Sequence, residues 1–267
     1  MGRFNVTFTI QKSRLQDIWN LVIKEIMEKG ETYIDQRGTK VKELLNVIWT
    51  VQHPLESEIP KGNPMGINSV EAYKNQLLDP DRGGFAYTYG NRLNQYTVFK
   101  PVEEPQSNIS DIEEFKELKL EGAYLLVNQI KKIIIDLIAY PETRRATMVT
   151  WQLPDDLLNE EVPCLIMIDY KIRGGKLFTS AIWRSHDYFS AAVPNFFALL
   201  ELSKYIAKRV ELPVGPITIQ SISAHIYEYD WESAKEVFTN KVWDGVQMTK
   251  NSTINSFNGY EKLYSFS

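Results

Sequence analysis

The sequence predicts one α+β domain spanning residues 1–267, with helices packed on sheet and one largely buried central helix. Three observations carry this. Phe4, Val6, Phe8 and Ile10 alternate with Asn5, Thr7 and Thr9, the period of a strand with one buried face. Asn195–Val210 is apolar nearly all round, with Glu201, Lys204 and Lys208 as its polar stripe, as a buried helix requires. Strand-like and helix-like stretches follow one another without an internal repeat, a low-complexity tract or a composition shift that would mark a domain boundary.

The totals restrict the class. A chain of 267 residues is long enough to bury a sizeable core. At 43% apolar and 24% charged, and with no apolar run of bilayer length, it reads as a soluble protein with no membrane partner. A single cysteine cannot form an internal disulfide, which fits a reducing, cytoplasmic setting. One cysteine and three histidines also argue against a structural zinc site, and no metal is expected. The net charge of −4 offers no general attraction for DNA, so any phosphate recognition must be local.

In chain order, Ser13 is placed to cap a helix over Leu15–Lys29 that Gly30 ends. Tyr33–Lys42 is polar and carries Asp35-Gln36-Arg37-Gly38-Thr39, and Leu44–Val51 reads as a strand. His53–Ile67 is loop, Ser69–Leu78 a short helix, and Asp79–Gly84 a loop of strong turn formers. Lys100–Asn108 is expected to be a mobile surface excursion, and Leu118–Ala139 a helix that Pro141 closes. Ala146–Trp151, Cys164–Tyr170 and Lys176–Arg184 read as strands, the last two joined by an Arg173-Gly174-Gly175 hairpin turn. Ile217–Tyr229 is a long strand and Ser233–Phe238 a short helix, followed by a weakly patterned tail after Lys241.

The candidate chemistry lies between Arg144 and Tyr227. Cys164 opens an apolar strand, where free cysteine is commonly just a buried residue; nearby cations would lower its pKa and make it a nucleophile. Arg184-Ser185-His186-Asp187 ends a strand and offers a guanidinium fork, a hydroxyl and backbone N–H groups suited to phosphate, or equally an ordinary charged turn. Arg144-Arg145 and Arg37 are either solvated surface or further anion ligands. Asn195, after Pro194, is either a helix N-cap or an amide able to read a ring carbonyl and N–H together. Ser221, Ser223, His225 and Tyr227 share one face of a strand, a polar row that either meets water or lines a cavity.

Taken together, Arg144-Arg145, Pro163-Cys164, Arg184-Ser185-x-Asp187, Pro194-Asn195 and His225-x-Tyr227 resemble the thymidylate synthase family in order and spacing. The resemblance covers about residues 120–229. It is thinner before that, where Arg37-Gly38-Thr39 and Tyr89-Gly90 look like the phosphate loop and the Tyr-Gly element, and the short N-terminal half looks more like the methanogen-type branch than the bacterial one. It implies a large mixed β-sheet and a cysteine-dependent methyltransferase that converts dUMP to dTMP. Methylenetetrahydrofolate, or methylene-tetrahydromethanopterin, would supply the carbon and the hydride. It further implies that Cys164 adds to C6 of the uracil ring, and that an arginine-rich pocket favours its thiolate. Arg184, Ser185 and Arg37 would hold the 5′-phosphate, with Arg144 and Arg145 entering from the second subunit of a homodimer. Asn195 would read the base, His225 and Tyr227 the sugar 3′-hydroxyl, and Asp187 the pterin amine. Leu165, Trp183 and Ser223 stand where relatives usually carry His, Gln and Asp, and the tail is shorter. The family's general-base glutamate has no matched position, Glu56, Glu58 and Glu71 being the nearest candidates. Two alternatives stay open: a pyrimidine-nucleotide 5-hydroxymethylase, and a non-catalytic nucleotide- or RNA-binding relative.

Overall fold

The computed structural model describes residues 7–101, 122–153 and 155–239. Among them a mixed sheet of eight strands organises the fold. Its path is β1 (Phe8–Lys12), β3 (Lys40–Val51), β10 (Val214–Tyr227), β8 (Lys176–Trp183), β7 (Leu165–Arg173) and β6 (Thr147–Val149). The short strands β2 (Glu31–Ile34) and β9 (His186–Asp187) pair with β3 and β10. β10 is antiparallel to β3 and parallel to β8, while β7 pairs antiparallel with β8 through a turn in which Gly174 and Gly175 take positive φ. A second, two-stranded sheet joins β4 (Tyr96–Pro101) to β5 (Gly122–Val127). This is the α+β class with a large mixed sheet that the sequence implied.

Helices cover the sheet because their apolar positions recur at helical spacing. α1 (Gln16–Lys29) buries Ile18, Trp19, Val22, Ile23, Ile26 and Met27. Its Trp19 stacks on Phe189 at 5.8 Å and donates its indole N–H to the Tyr188 carbonyl, tying α1 to the segment after β9. Gly30 closes the helix where a Cβ would run into the Ile26 carbonyl. Ser13 does not cap it: its carbonyl accepts from His53 N–H, and Ser57 Oγ instead accepts from Leu15 N–H at the helix start. The central helix is the one expected, although it begins earlier, at Ala192, and runs to Arg209; we label it α6. It buries 12 of its 18 residues, at roughly 1.5–3 kcal/mol for each large apolar side chain.

The remaining helices are α2 (Gly66–Tyr73), α3 (Tyr89–Asn94), α4 (Gln129–Ala139), α5 (Asp155–Leu158) and α7 (Trp231–Phe238). Three further stretches are defined by the structure. The helix expected from Leu118 is a strand followed by a helix. Ala123, Leu125 and Val127 also satisfy a two-residue period, β5 pairs with β4, and Asn128 caps α4 by accepting from Lys131 N–H at 2.8 Å. The polar stretch before Leu44, for which the sequence assigned no element, contains strand: Lys40–Glu43 pair with β2 on one side and Val41–Glu43 with β10 on the other. Asn195 is not an N-cap; it lies inside the first turn of α6, with its N–H bonded to the Ala191 carbonyl. Most of the expected excursion at Lys100–Asn108, and all of the tail after Lys241, lie outside the described residues.

A buried ion pair fixes the outer layer beside the sheet. The Arg92 guanidinium on α3 meets the Asp156 carboxylate on α5 at 2.7 Å and also donates to Gln152. The Asp156 side chain is wholly buried, so Asp156→Ala would leave Arg92 charged and unpaired in a dry site. That substitution is expected to cost about 3–5 kcal/mol in chemical denaturation; a loss under 1 kcal/mol would show that the pair does not anchor α3.

Candidate active site

A cavity of about 400 Å³ opens where the parallel strands β8 and β10 end. Trp183, Ser185 and Asp187 enter from the end of β8 and from β9, His225 and Tyr227 from the end of β10, and Asn195 from the first turn of α6. Tyr73 and Gln76 close one side, the Phe85–Tyr89 segment another, and Arg37 and Thr39 come from the turn between β2 and β3. Arg37 projects because Asp35 Oδ1 accepts from both the Arg37 and Thr39 N–H groups, with Gly38 at φ 76° making the turn. The Phe85–Tyr89 wall leads directly into Gly90, where any Cβ would meet the carbonyls of Gln76 and Asp79.

Cys164 sits one residue before β7 on the cavity wall, half-buried. Its segment is held from several sides. Arg184 N–H donates to the Cys164 carbonyl at 2.8 Å, and the Arg184 guanidinium donates to the carbonyls of Pro163 and Val162, each at 2.9 Å. Tyr87 OH also donates to Val162, Trp151 to Pro163, and Leu165 N–H to the Tyr89 hydroxyl. Burial pushes the Cys164 thiol above its ordinary pKa; Arg184 and Arg37 pull the other way without cancelling it. The arginines thus favour the thiolate, as expected, but desolvation is the larger influence.

Five groups named from sequence meet Cys164 in this cavity: Arg37, Ser185, Asn195, the His225–Tyr227 pair and Asp187. Arg184 stands beside it with two of its N–H groups committed to carbonyls. Arg144 and Arg145 do not line the cavity; they are exposed in the loop before β6. Of the polar row on β10, Ser221 and His225 are buried, Ser223 bonds Glu43, and Tyr227 faces the cavity. That row is interior rather than solvent-facing. Glu161 and Asp187 are the carboxylates lining the cavity among the described residues; Glu56, Glu58 and Glu71 do not reach it. Asp187 accepts from Ser190 N–H, and burial together with the neighbouring Asp230 carries its pKa up to about 7. Burial likewise raises Asp230 to about 6.

Sequence reasoning missed Tyr73, Trp183 and His186. Tyr73 OH donates to Asn195 Oδ1 at 3.0 Å, and Asn195 Nδ2 lies 3.3 Å from His186 Nε2. The signal was the unassigned position inside Arg184-Ser185-x-Asp187: a histidine at a strand end, three residues after a tryptophan. The arrangement puts a thiol, a guanidinium at the rim, a carboxamide and a His–Tyr pair around one space of about 400 Å³. It suits covalent chemistry on a phosphorylated ring compound.

Comparison with known proteins agrees with this chemistry. Residues 72–263 match the sequence model of the family described as thymidylate synthase. A protein of Methanothermobacter thermautotrophicus, named "putative thymidylate synthase", is 36% identical over 247 residues, covering 87% of this chain and 99% of its own. Proteins of the same name from Methanothermobacter marburgensis and Methanosarcina acetivorans are 35% and 32% identical; each match covers 88% of this chain, and 100% and 96% of theirs. Two independent lines, the cavity and the relatives, thus meet: the chain belongs to the thymidylate synthase family.

Proposed function

We propose that the protein is a thymidylate synthase acting as one catalytic domain in a reducing, cytoplasmic setting. It would methylate C5 of dUMP, with a methylene-tetrahydropterin as second substrate. The observation that carries the reading is the meeting of Cys164, Arg37, Ser185, Asn195, His225 and Tyr227 in one cavity. Arg37, Ser185 and the donors that Arg184 keeps free bind the 5′-phosphate, and His225 with Tyr227 holds the sugar 3′-hydroxyl. Asn195 takes the carbonyl and N–H edge of uracil, which places C6 next to the thiol. Cys164 gives up its proton as Sγ adds to C6, and C5 becomes nucleophilic. The pterin supplies the one-carbon unit and the hydride. Asp187 accepts from its amine, within a cavity whose aromatic walls, Tyr87, Phe85 and Tyr229, suit a flat bicyclic ring. Loss of the C5 proton and departure of Sγ release the product and restore the thiol.

Incubation with 5-fluorodeoxyuridylate and methylenetetrahydrofolate or its methanopterin counterpart is expected to trap a covalent adduct on Cys164, seen by mass spectrometry. Cys164→Ser is expected to lose adduct and turnover while still binding dUMP. No adduct with either carrier would overturn the enzymatic reading. A product one oxygen atom heavier than dTMP would make the protein a hydroxymethylase, with water meeting the exocyclic methylene in place of hydride.

Arg144 and Arg145, exposed and outside the cavity, fit a homodimer in which each subunit completes its partner's phosphate site. Mixing inactive Cys164→Ser with a weakened Arg144→Ala/Arg145→Ala variant would then create dimers with one intact site, recovering about a quarter of wild-type activity by random exchange. No recovery after subunit exchange would place these arginines elsewhere.

Asp187 gives a pH signature. With its pKa at about 7, it is a carboxylate above that value and neutral below it, and only the carboxylate is a full acceptor for an amine. The KM for the pterin is expected to rise as pH falls below 7, approaching tenfold per unit, roughly the limit for loss of one ionised group. Removing the neighbouring charge with Asp230→Asn should move the inflection to lower pH. A KM flat between pH 6 and 8 would remove Asp187 from pterin binding.

A further inference from the structure

We propose that His186 is a positioning residue that locks the Asn195 carboxamide in one orientation, so that the cavity selects a ring pairing a carbonyl with an adjacent N–H over one pairing an amino group with a bare ring nitrogen. This rests on the reading above that Asn195 faces a pyrimidine. His186 itself belongs to none of the motifs that identify the family, filling the unassigned position between Ser185 and Asp187.

The argument starts from a chain of hydrogen bonds through the wall of the cavity. Tyr73 OH lies 3.0 Å from Asn195 Oδ1, Asn195 Nδ2 lies 3.3 Å from His186 Nε2, and His186 Nδ1 lies 2.8 Å from Ser221 Oγ. The imidazole is sealed, 1% exposed, and stacks parallel on Trp183 at 4.9 Å and 9°. Burial carries its pKa down to about 3, so at working pH the ring is neutral, with one donor and one acceptor.

In the orientation the structure gives the amide, with Oδ1 toward Tyr73 and Nδ2 toward His186, one tautomer satisfies every link. With the proton on Nδ1, His186 donates to Ser221 and presents the Nε2 lone pair to Asn195, whose Nδ2 must then be the donor and whose Oδ1 receives the Tyr73 hydroxyl. With the proton held on Nδ1 by the bond to Ser221, turning the amide over would set Oδ1 against the Nε2 lone pair, two acceptors facing each other in a dry site; the reversed chain requires the proton on Nε2 and Ser221 as donor. The amide is thus left with one N–H and one oxygen lone pair for the cavity. These match O4 and N3–H of uracil and oppose the amino group and bare N3 of cytosine. A site whose buried donors and acceptors are fixed rejects the mismatched analogue far better than one whose amide can turn.

The test compares dissociation constants for dUMP and dCMP by calorimetry in the full-length protein, His186→Leu and His186→Gln. Leucine offers no acceptor, so the preference for dUMP is expected to fall by about tenfold or more, the scale of one misdirected buried hydrogen bond. Glutamine can present its carbonyl to Asn195 Nδ2 and is expected to keep the preference within a few-fold. A purely structural role would weaken both ligands alike and leave the ratio intact, which overturns the proposal. Independently, long-range proton–nitrogen NMR of the wild-type protein, which has three histidines, should show the Nδ1–H tautomer at His186. The Nε2–H tautomer would reverse the chain and overturn the proposal even if the leucine variant does not fold. If the wild-type protein binds neither nucleotide, the reading of the whole site fails; if it prefers dUMP and the leucine variant does so equally, only the role of His186 fails.

Discussion

The site depends on the grip of Arg184 on the three residues before β7. Three successive carbonyls, of Val162, Pro163 and Cys164, are bonded by one residue, two through its side chain and one through its backbone. Hydrogen bonds from a charged donor contribute about 1.5–3 kcal/mol each, enough to hold an irregular segment without a ladder of its own. The grip fixes Cys164 against the end of β8 and places a positive charge near the thiol. Arginine has five N–H donors in a rigid fork, so two can be spent on the protein while others remain for an anion. Lysine, a single flexible point charge, could not divide itself this way.

The rest of the cavity follows from topology. β8 and β10 are parallel neighbours, and α6 lies in the crossover between them. Crevices in sheets with parallel strands form at the carboxyl ends of those strands, where the connecting segments part. Pro194 and Asn195 enter in the first turn of α6, where a proline costs no helical hydrogen bond. The long strand β10 changes role along its length: Ile217 and Ile219 pack in the core, Ser221 bonds His186 behind the cavity, and His225 and Tyr227 line it.

Burial sets the electrostatics. Desolvation is the largest influence on Cys164, His186, Asp187, Tyr89 and His225, and it moves each toward its neutral form. The positive charge is carried by guanidiniums, with Arg37 exposed at the mouth and Arg184 behind the thiol segment. In the proposed reading, a phosphate would meet its counter-charge at the guanidinium end, and the base and sugar would meet hydrogen-bonding groups such as Asn195 and the His225–Tyr227 pair. Such an arrangement orients before it reacts.

Local pattern was legible wherever a residue's neighbours in sequence settle its environment. The buried face of α1, the all-round apolar α6, the Gly174-Gly175 hairpin and the polar row on β10 could be read because side-chain period maps directly onto one face. The order of the arginine, cysteine, asparagine and histidine–tyrosine motifs was likewise visible, being a property of the chain itself. Pairing was not visible: β5 became a strand because β4 lies beside it, and Lys40–Glu43 became strand because β2 and β10 flank it. The balance of influences on Cys164 was hidden for the same reason. A neighbouring arginine can be read from the sequence, but the removal of water that outweighs it is produced only when distant segments close around the thiol. His186 is the sharpest case, since its ring gains meaning from Trp183, Ser221 and Asn195 at once, three contacts that exist only in the folded chain.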